Sequence, residues 1–265
     1  MLANFTITRA YFEDWMIFGM PTAWSLTVEE TFYLSAPLLL LGLKHDLRRI
    51  VAYPVILLTL GFVLVAFCTR FVPFYNLMGN VRFMLLYTFF GRCAEFIMGM
   101  GLAVWMSKQA KRSNSGYAFT LLGAGGIVLF MGVIMVVHHF YHVDGTSTWS
   151  FGQIAANNFI LPILVCALFW GLITERTQLR RMLETKPFDL LGKSSYVLYL
   201  IHGGSVDSMF REYVSSNRLM GIATYIGLSI VIYKYIEHPL HTRLRAKAVP
   251  RKVQADGTSV ETVLA

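Results

Sequence analysis

Long apolar runs recur along almost the whole chain, and they constrain its fold more than any other feature. A helix needs about 20 mainly apolar residues to cross the hydrocarbon core of a bilayer, so each run predicts a span. Seven runs are candidates: residues 24–43, 51–69, 83–107, 117–137, 158–173, 188–204 and 219–236. The fifth and sixth are short, and extension into their polar flanks is one way for them to reach spanning length. The sequence therefore predicts an all-α fold, a polytopic transmembrane helical bundle of about seven spans.

The low content of charged residues excludes a soluble domain. Asp, Glu, Lys and Arg make up 14% of the 265 residues, whereas soluble domains average about 25%. Basic loops of a membrane protein explain the net charge of +8, so we expect membrane lipid as a partner and no nucleic acid. Cys68, Cys93 and Cys166 lie inside apolar runs and have neither disulfide nor metal-site spacing.

Basic residues are concentrated in alternate loops, which predicts the orientation of the bundle. The basic segments are Lys44–Arg49, Lys108–Arg112, Arg176–Lys186 and Arg243–Lys252, whereas residues 138–157 contain no Lys or Arg. Because Lys and Arg favour cytoplasmic loops, we expect the N-terminus outside and the C-terminus in the cytoplasm.

The connections between the runs are short, so no second soluble domain is expected. Residues 1–245 are predicted to form one transmembrane domain. Residues 246–265 lack a periodic apolar face, which is typical of a disordered tail. We therefore predict a disordered cytoplasmic tail at the C-terminus.

Two carboxylates stand where the first apolar run begins. Glu29 and Glu30 follow Trp24, an aromatic residue of the kind found at membrane interfaces, and they precede the run Phe32–Leu43. An ionisable residue at membrane depth suggests a functional site. The alternative is that both lie in the headgroup region and start a helix, because carboxylates suit a first turn.

An arginine and a glutamate interrupt the third run. Arg92 and Glu95 are three residues apart, a spacing that allows an ion pair on one helix face. One interpretation is a structural pair that fixes helix packing. The other is a polar cluster that lines a substrate cavity.

The sixth run carries hydroxyls and an imidazole. Ser195, Tyr199 and His202 follow at i, i+4 and i+7, so they share a helix face. Such a polar face is expected to point into the bundle. The alternative is that these groups bond to one another and to nearby backbone.

Histidines cluster after the fourth run, but no metal site is predicted there. His138, His139, His142 and Asp144 could in principle bind a metal. They lie among aromatic residues at an outer interface, where amphipathic rings are common.

Four segments, three of them described above and one near the C-terminus, together resemble the acyltransferase 3 family of integral membrane enzymes. The first is similar to the WSLxVExxFY motif, the second to R-x-x-E-F-x-x-G, the third to LGxxSYxLYLxH and the last to a closing E-x-P. The matching residues are Trp24, Ser25, Leu26, Val28, Glu29, Phe32, Tyr33; Arg92, Glu95, Phe96, Gly99; Gly192, Ser195, Tyr196, Leu198, Tyr199, His202; Glu237 and Pro239. Pro239 is expected to end the last helix.

The resemblance implies an O-acyltransferase in a bacterial inner membrane. Such an enzyme moves an acyl group, typically acetyl, from a coenzyme A thioester to a hydroxyl of a carbohydrate or other cell-envelope acceptor. Acyl-CoA is then a donor substrate, and no bound cofactor or metal is expected. Glu29 is the best candidate for an acid, base or orienting group, and Arg92 and Glu95 are expected to supply the electrostatics of the catalytic site. Trp24, Ser195, Tyr199 and His202 are candidate substrate contacts.

The chain departs from the family pattern before Trp24. Family members carry about three further spans there, with a histidine regarded as the catalytic base and an arginine motif linked to the donor. The chain thus resembles the C-terminal two-thirds of such an enzyme, as a wrong start, a split gene or a remnant would give. We expect these 265 residues alone to insert in a membrane without catalysing transfer.

Two other functions stay open at this point. A transporter or flippase-like module would use the charged residues in the runs, Glu29, Arg92 and Glu95, as ion or substrate sites. Against it, the sequence has no visible inverted repeat. A non-catalytic remnant that still folds is the third possibility.

Overall fold

The fold is known from a computed structural model, which describes residues 8–16, 22, 24–108, 116–141, 149–203, 205–214 and 217–248. The regular elements in these ranges are helical, which confirms the all-α prediction. The α-helices are α1 (Trp24–His45), α2 (Arg49–Phe71), α3 (Val81–Tyr87), α4 (Phe89–Lys108), α5 (Ala118–Tyr141), α6 (Phe151–Ala155), α7 (Leu161–Thr174), α8 (Gln178–Leu183), α9 (Lys186–Ile201), α10 (Ser205–Tyr213), α11 (Arg218–Ile232) and α12 (His238–Ala248).

Six stretches within the described ranges are long and apolar enough to cross a membrane. They are Trp24–His45, Arg49–Phe71, Val81–Lys108, Ala118–Phe140, Phe151–Thr174 and Leu219–Leu244. The prediction of a polytopic membrane protein is confirmed, and the fifth run does extend into its polar flank. The sixth predicted run falls on α9, which has 16 residues, fewer than a span usually needs. That span stays a prediction.

The chain divides into two compact units. The first comprises Met1–Phe188 with Gly203–Ser205, and the second comprises Asp189–His202 with Val206–Ala265. The predicted boundary at residue 245 stays a prediction, because α12 continues to Ala248 and residues 249–265 lie outside the described ranges.

The first unit is built around α1 and α4, which run side by side in the same direction. Their facing residues include Val28 and Leu43 on α1 and Cys93 and Ile97 on α4, all buried. At the C-terminal ends, the Lys108 ammonium donates a hydrogen bond of 3.1 Å to the carbonyl oxygen of Lys44. Leucines on the opposite face of α1, at positions 34, 38 and 41, are exposed, as expected for a helix face that meets lipid.

The third span is broken between α3 and α4. Thr88 has extended backbone angles, and the chain folds so tightly that a Cβ at Gly91 would overlap the backbone of Leu85. The buried Asn158, in a π-helical turn that joins α6 to α7, donates its side-chain amide to the carbonyl oxygens of Leu85 (2.7 Å) and Gly91 (3.1 Å). Carbonyl groups at the break are thereby satisfied, which the bilayer core demands.

Helices α5 and α7 pack closely through glycines. A Cβ at Gly123 would overlap the backbone of Leu168, and a Cβ at Gly171 would overlap the backbone of Thr120. Small residues let the backbones of membrane helices approach in this way. Helix α7 ends at Thr174, and the next residue is the buried Glu175.

The second unit corrects one prediction. Pro239 does not end the last helix, because α12 begins at His238 and continues to Ala248. A π-helical turn, Tyr233–Glu237, immediately precedes it. Pro239 has no N–H to donate. It is accommodated because it lies at the start of α12, directly after the widened π-helical turn.

Candidate functional site

Trp24, Tyr87 and Arg92 meet where α1 and α4 begin. The rings of Trp24 and Tyr87 are edge-to-face with their centroids 5.2 Å apart. The Arg92 guanidinium carbon lies 5.5 Å from the centroid of the Trp24 ring, within the range of a cation–π contact. The break at Thr88 is the reason for this arrangement, because it starts α4 one turn before Arg92.

Arg92 also pairs with Glu95 on the same helix. Its guanidinium nitrogen lies 2.7 Å from the Glu95 carboxylate, and the two side chains are 25% and 26% exposed. The predicted i, i+3 ion pair is therefore present. Both groups keep a quarter of their surface accessible, so a ligand could still reach them. We call Trp24, Arg92 and Glu95 the α1–α4 cluster.

Glu29 is half-buried on α1, one turn before Phe32. Phe32 stacks on Phe96 of α4, with ring centroids 4.5 Å apart. Among the described residues, no hydrogen bond or ion pair joins Glu29 to another side chain, whereas the neighbouring Glu30 is exposed. Its role as acid, base or orienting group stays a prediction.

The segment before α1 covers part of that helix. The backbone N–H of Ala10 donates to the Thr27 hydroxyl at 3.3 Å, and the Tyr11 and Thr31 hydroxyls are 2.6 Å apart. Burial raises the pKa of the Tyr11 phenol, although its hydrogen bond with Thr31 opposes the rise. This packing holds the start of α1 in place beside the α1–α4 cluster.

Two of the three polar residues predicted on the sixth run, Ser195 and His202, bond to backbone carbonyl groups of α9. The Ser195 hydroxyl donates to the carbonyl oxygen of Gly192 at 2.7 Å. His202 Nδ1 lies 2.6 Å from the carbonyl oxygen of Tyr199, and the Tyr199 and His202 rings are 5.6 Å apart. They belong to the second unit, and their contacts with a substrate stay a prediction.

The structure adds a buried carboxylate that the sequence analysis missed. Glu175 follows α7, is fully buried, and accepts hydrogen bonds from the backbone N–H groups of Phe119 (2.9 Å) and Thr120 (3.0 Å) and from the Thr120 hydroxyl (2.7 Å). Burial alone would raise the pKa of Glu175, but these three hydrogen bonds outweigh it and lower the pKa below its ordinary value. We call Glu175, Phe119 and Thr120 the Glu175 lock.

A second missed group lies in the second unit. Asp207 accepts a hydrogen bond of 2.8 Å from the Tyr225 hydroxyl and pairs with Arg211 at 2.8 Å. The hydrogen bond from Arg211, followed by that from Tyr225, lowers the pKa of Asp207. The i, i+4 spacing of Asp207 and Arg211 is visible in the sequence, whereas the contact with Tyr225, 18 residues away, is not.

An apolar cavity of about 400 Å³ lies near the C-terminal half of α4. Its walls come from the start of α2 and from α4 and α7, and they include Ile50, Leu102, Trp105 and Cys166. Trp105 stacks on Trp170, with centroids 4.1 Å apart. We call this space the α4 cavity.

Metal binding finds no support within the described residues. No group of three or more His, Cys, Asp or Glu side chains there could hold a metal ion. His138 and His139 lie at the end of α5, while His142 and Asp144 fall outside the described ranges.

Comparison with known proteins gives one family and several relatives. The model of the acyltransferase 3 family, described as an acyltransferase domain, matches residues 2–233. O-acetyltransferase OatA of Staphylococcus aureus, in strains NCTC 8325 / PS 47 and COL, is 26% identical over 247 residues. Another Staphylococcus aureus (strain COL) protein, SACOL0978, is 22% identical over 244 residues.

These relatives are much longer than the aligned region. The alignments with OatA cover 88% of this chain and 38% of OatA, and the alignment with SACOL0978 covers 86% of this chain and 37% of that protein. The chain therefore spans well under half the length of the relatives it matches. No solved structure matches it.

Proposed function

Because this chain belongs to the acyltransferase 3 family, we propose that it serves O-acyl transfer, with acetyl as the acyl group. The donor is a coenzyme A thioester, and the acceptor is a hydroxyl of a carbohydrate or another cell-envelope molecule. The name of OatA, an O-acetyltransferase, supports acetyl over longer acyl groups. The membrane is a bacterial inner membrane, with the N-terminus outside and the C-terminus in the cytoplasm.

The observation that carries this proposal is the α1–α4 cluster. Acyl transfer develops negative charge on the thioester oxygen, and fixed positive groups lower the barrier most when they need not rearrange. Arg92 is fixed from two sides, by the Trp24 ring and by Glu95. It also lies in the first turn of α4, where the helix dipole contributes partial positive charge.

Glu29 takes the proton-handling or orienting role in this proposal. An acceptor hydroxyl must lose its proton as it attacks, which a positioned carboxylate can accept. Glu29 has no competing partner among the described residues and is half-buried. Ser195, Tyr199 and His202 are proposed as acceptor contacts on α9.

A transporter is the second candidate, and one observation favours it. The third span is discontinuous at Thr88, and broken membrane helices are typical of transporter substrate sites. In that function, Arg92 and Glu95 would bind a solute that passes through the protein, and no covalent bond would change.

The decisive experiment measures acetyl transfer in proteoliposomes. The chain is supplied alone and joined behind the first spans of a longer member of the acyltransferase 3 family, with radiolabelled acetyl coenzyme A and an envelope-glycan acceptor. We expect label on the acceptor in the joined form, and we expect Arg92→Gln to lower the rate by about 10²–10³-fold, the usual loss for one oxyanion donor. Arg70→Gln, an exposed arginine at the end of α2, is the matched control and should retain the rate.

Three outcomes would contradict the proposal. One is a folded, inserted protein that gives no labelled acceptor in either form. The second is a rate that Arg92→Gln leaves unchanged. The third is uptake of the glycan or of acetyl coenzyme A into the vesicles without acetylation, which would favour the transporter.

A further inference from the structure

The α4 cavity lies beyond the α1–α4 cluster on the same helix. Its lining on α4 begins at Met98, three residues after Glu95, and reaches Trp105, ten residues after Glu95, which corresponds to about 5 to 15 Å along a helix. Its volume of about 400 Å³ falls within the range of ligand pockets, about 300–1,000 Å³. The lining residues are apolar apart from the Cys166 thiol and backbone groups, so an occupant must be hydrocarbon-like.

Basic residues alternate with lining residues of this cavity in the sequence. Leu47, Ile50 and Val51 line it, and Arg48 and Arg49 stand between them in the sequence. Both arginines are exposed; Arg49 is the first residue of α2, and Arg48 immediately precedes it. The Arg49 guanidinium lies over Gly42 near the end of α1, where an added Cβ would be 2.9 Å from it. Apolar and cationic groups are therefore found together where α1 ends and α2 begins.

Two further cations strengthen the positive charge at this end. Lys44 is exposed at the end of α1, and Lys108 is tied to the Lys44 carbonyl. Asp46, the acidic residue between Lys44 and Arg48 in the sequence, accepts a hydrogen bond of 2.9 Å from the backbone N–H of Arg48. Residues 44–49 therefore carry more positive than negative charge, and the N-terminus of α2 adds partial positive charge.

We propose that the α4 cavity binds an acyl chain of an anionic phospholipid, with its phosphate held by Arg48 and Arg49. Hydrocarbon fills the apolar space, while the headgroup meets the arginines where the chain leaves the cavity. Basic pockets between membrane helices bind anionic headgroups in this way. The positive charge of the arginines favours a lipid with a net negative headgroup over a zwitterionic lipid. This inference does not depend on the proposed acyl transfer.

The test measures lipid retained by the full chain. The protein is reconstituted with equal amounts of phosphatidylglycerol and phosphatidylcholine of matched acyl chains, then released and examined by native mass spectrometry. We expect phosphatidylglycerol to be retained over phosphatidylcholine by at least about fivefold, the effect of one basic residue near a membrane. Equal retention of the two lipids would overturn the proposal.

Variants separate the headgroup from the acyl chain. Arg48→Gln with Arg49→Gln should bring the two lipids to equal retention, whereas Arg70→Gln, at the other end of α2, should not. Cys166→Phe should lower retention of both lipids by filling the cavity, and Cys166→Ser is its size-matched control. Because Cys166→Phe could impair insertion, Leu102→Phe fills the same space from another helix.

Two results would refute the site. One is phosphatidylglycerol preference that survives the double arginine substitution. The other is lipid retention unchanged in both cavity-filling variants when they insert normally. Displacement of the retained lipid by acetyl coenzyme A at low concentration would assign the cavity to the donor and would also overturn the proposal.

Discussion

The α1–α4 cluster and the Glu175 lock both place a glutamate within an apolar helical bundle, yet they satisfy it differently. Glu95 pairs with Arg92 three residues away and stays 26% exposed. Glu175 is fully buried and accepts three hydrogen bonds from Phe119 and Thr120 at the start of another helix. The first carboxylate has capacity left for a ligand, and the second has little left.

We propose that this difference separates a functional site, the α1–α4 cluster, from a group with a structural role, Glu175. A buried carboxylate that holds a helix end must be matched by its donors, because an unsatisfied partner costs about 1–3 kcal/mol. A group that acts on a substrate must keep part of its surface and its bonding capacity free. We therefore expect substitutions in the α1–α4 region to reduce transfer and spare stability, and substitutions around the Glu175 lock to do the reverse.

The largest effect is expected at Glu29. Glu29→Gln should lower acetyl transfer by about 10²–10⁴-fold, the usual contribution of a general acid or base, while thermal unfolding in detergent is unchanged. Glu30→Gln is the matched control, since Glu30 is exposed on the adjacent position of α1. Equal losses in the two variants would remove Glu29 from the site.

The next effect concerns the packing of α5 on α7. Gly171→Leu should lower the free energy of unfolding by about 1–3 kcal/mol, since overpacking of a tight contact has this cost and a Cβ there meets the Thr120 backbone. Gly99→Leu on α4 is the control, because a Cβ at Gly99 meets nothing within 4 Å. Thermal unfolding in detergent measures both, and similar midpoints would argue against the close packing.

A smaller effect is expected at Glu175 itself. Glu175→Gln should lower the free energy of unfolding by about 1–2 kcal/mol at neutral pH, because an NH₂ group replaces one of the two accepting carboxylate oxygens and faces either the N–H of Phe119 or that of Thr120. Transfer per folded molecule should be retained. A variant that unfolds like wild type but loses transfer would make Glu175 part of the site.

The same lock predicts a pH dependence. Because the pKa of Glu175 is lowered in the folded state, its contribution is complete above the ordinary glutamate pKa and is lost as the pH falls through the folded-state value. The melting midpoint should therefore fall more steeply at acid pH in wild type than in Glu175→Gln. Asp207 contributes to both proteins alike, so the difference isolates Glu175. Melting midpoints that fall equally with pH in the two proteins would contradict a stabilising role of the Glu175 carboxylate.

The sequence predicted the α1–α4 cluster better than the Glu175 lock for a physical reason. The i, i+3 spacing of Arg92 and Glu95 can be read directly from the sequence, and charged residues inside an apolar run indicate a functional or paired position. Glu175 stands among loop residues, and two of its three donors are backbone N–H groups 55 and 56 residues away. No residue pattern marks a backbone donor.

The helix break and the continued last helix were missed for a related reason. The break at Thr88 is supported by Asn158, whose bond to Leu85 spans 73 residues. The apolar run through 83–107 looks continuous, and only Gly91 and the paired asparagines at 157 and 158 hinted at irregular backbone. Pro239 was expected to end a helix, but the preceding π-helical turn relieves the conflict.

The smallest effect is expected at Trp24. Trp24→Phe weakens the cation–π contact with Arg92, which is worth about 0.5–1 kcal/mol at accessible sites. Transfer should therefore fall about two- to fivefold, with little change in the unfolding midpoint. A loss as large as that of Arg92→Gln would mean that the indole itself contacts the substrate.

Exchange of the two charges of the ion pair tests the central claim most directly. Arg92→Glu combined with Glu95→Arg keeps an i, i+3 pair of opposite charges on the same face of α4 but reverses its direction. The account predicts normal insertion and a near wild-type unfolding midpoint, with acetyl transfer by the form joined to the first spans of a longer family member reduced at least about 10²-fold. Transfer near the wild-type rate would show that the pair only holds the helices together, and it would contradict the assignment of the α1–α4 cluster as the site.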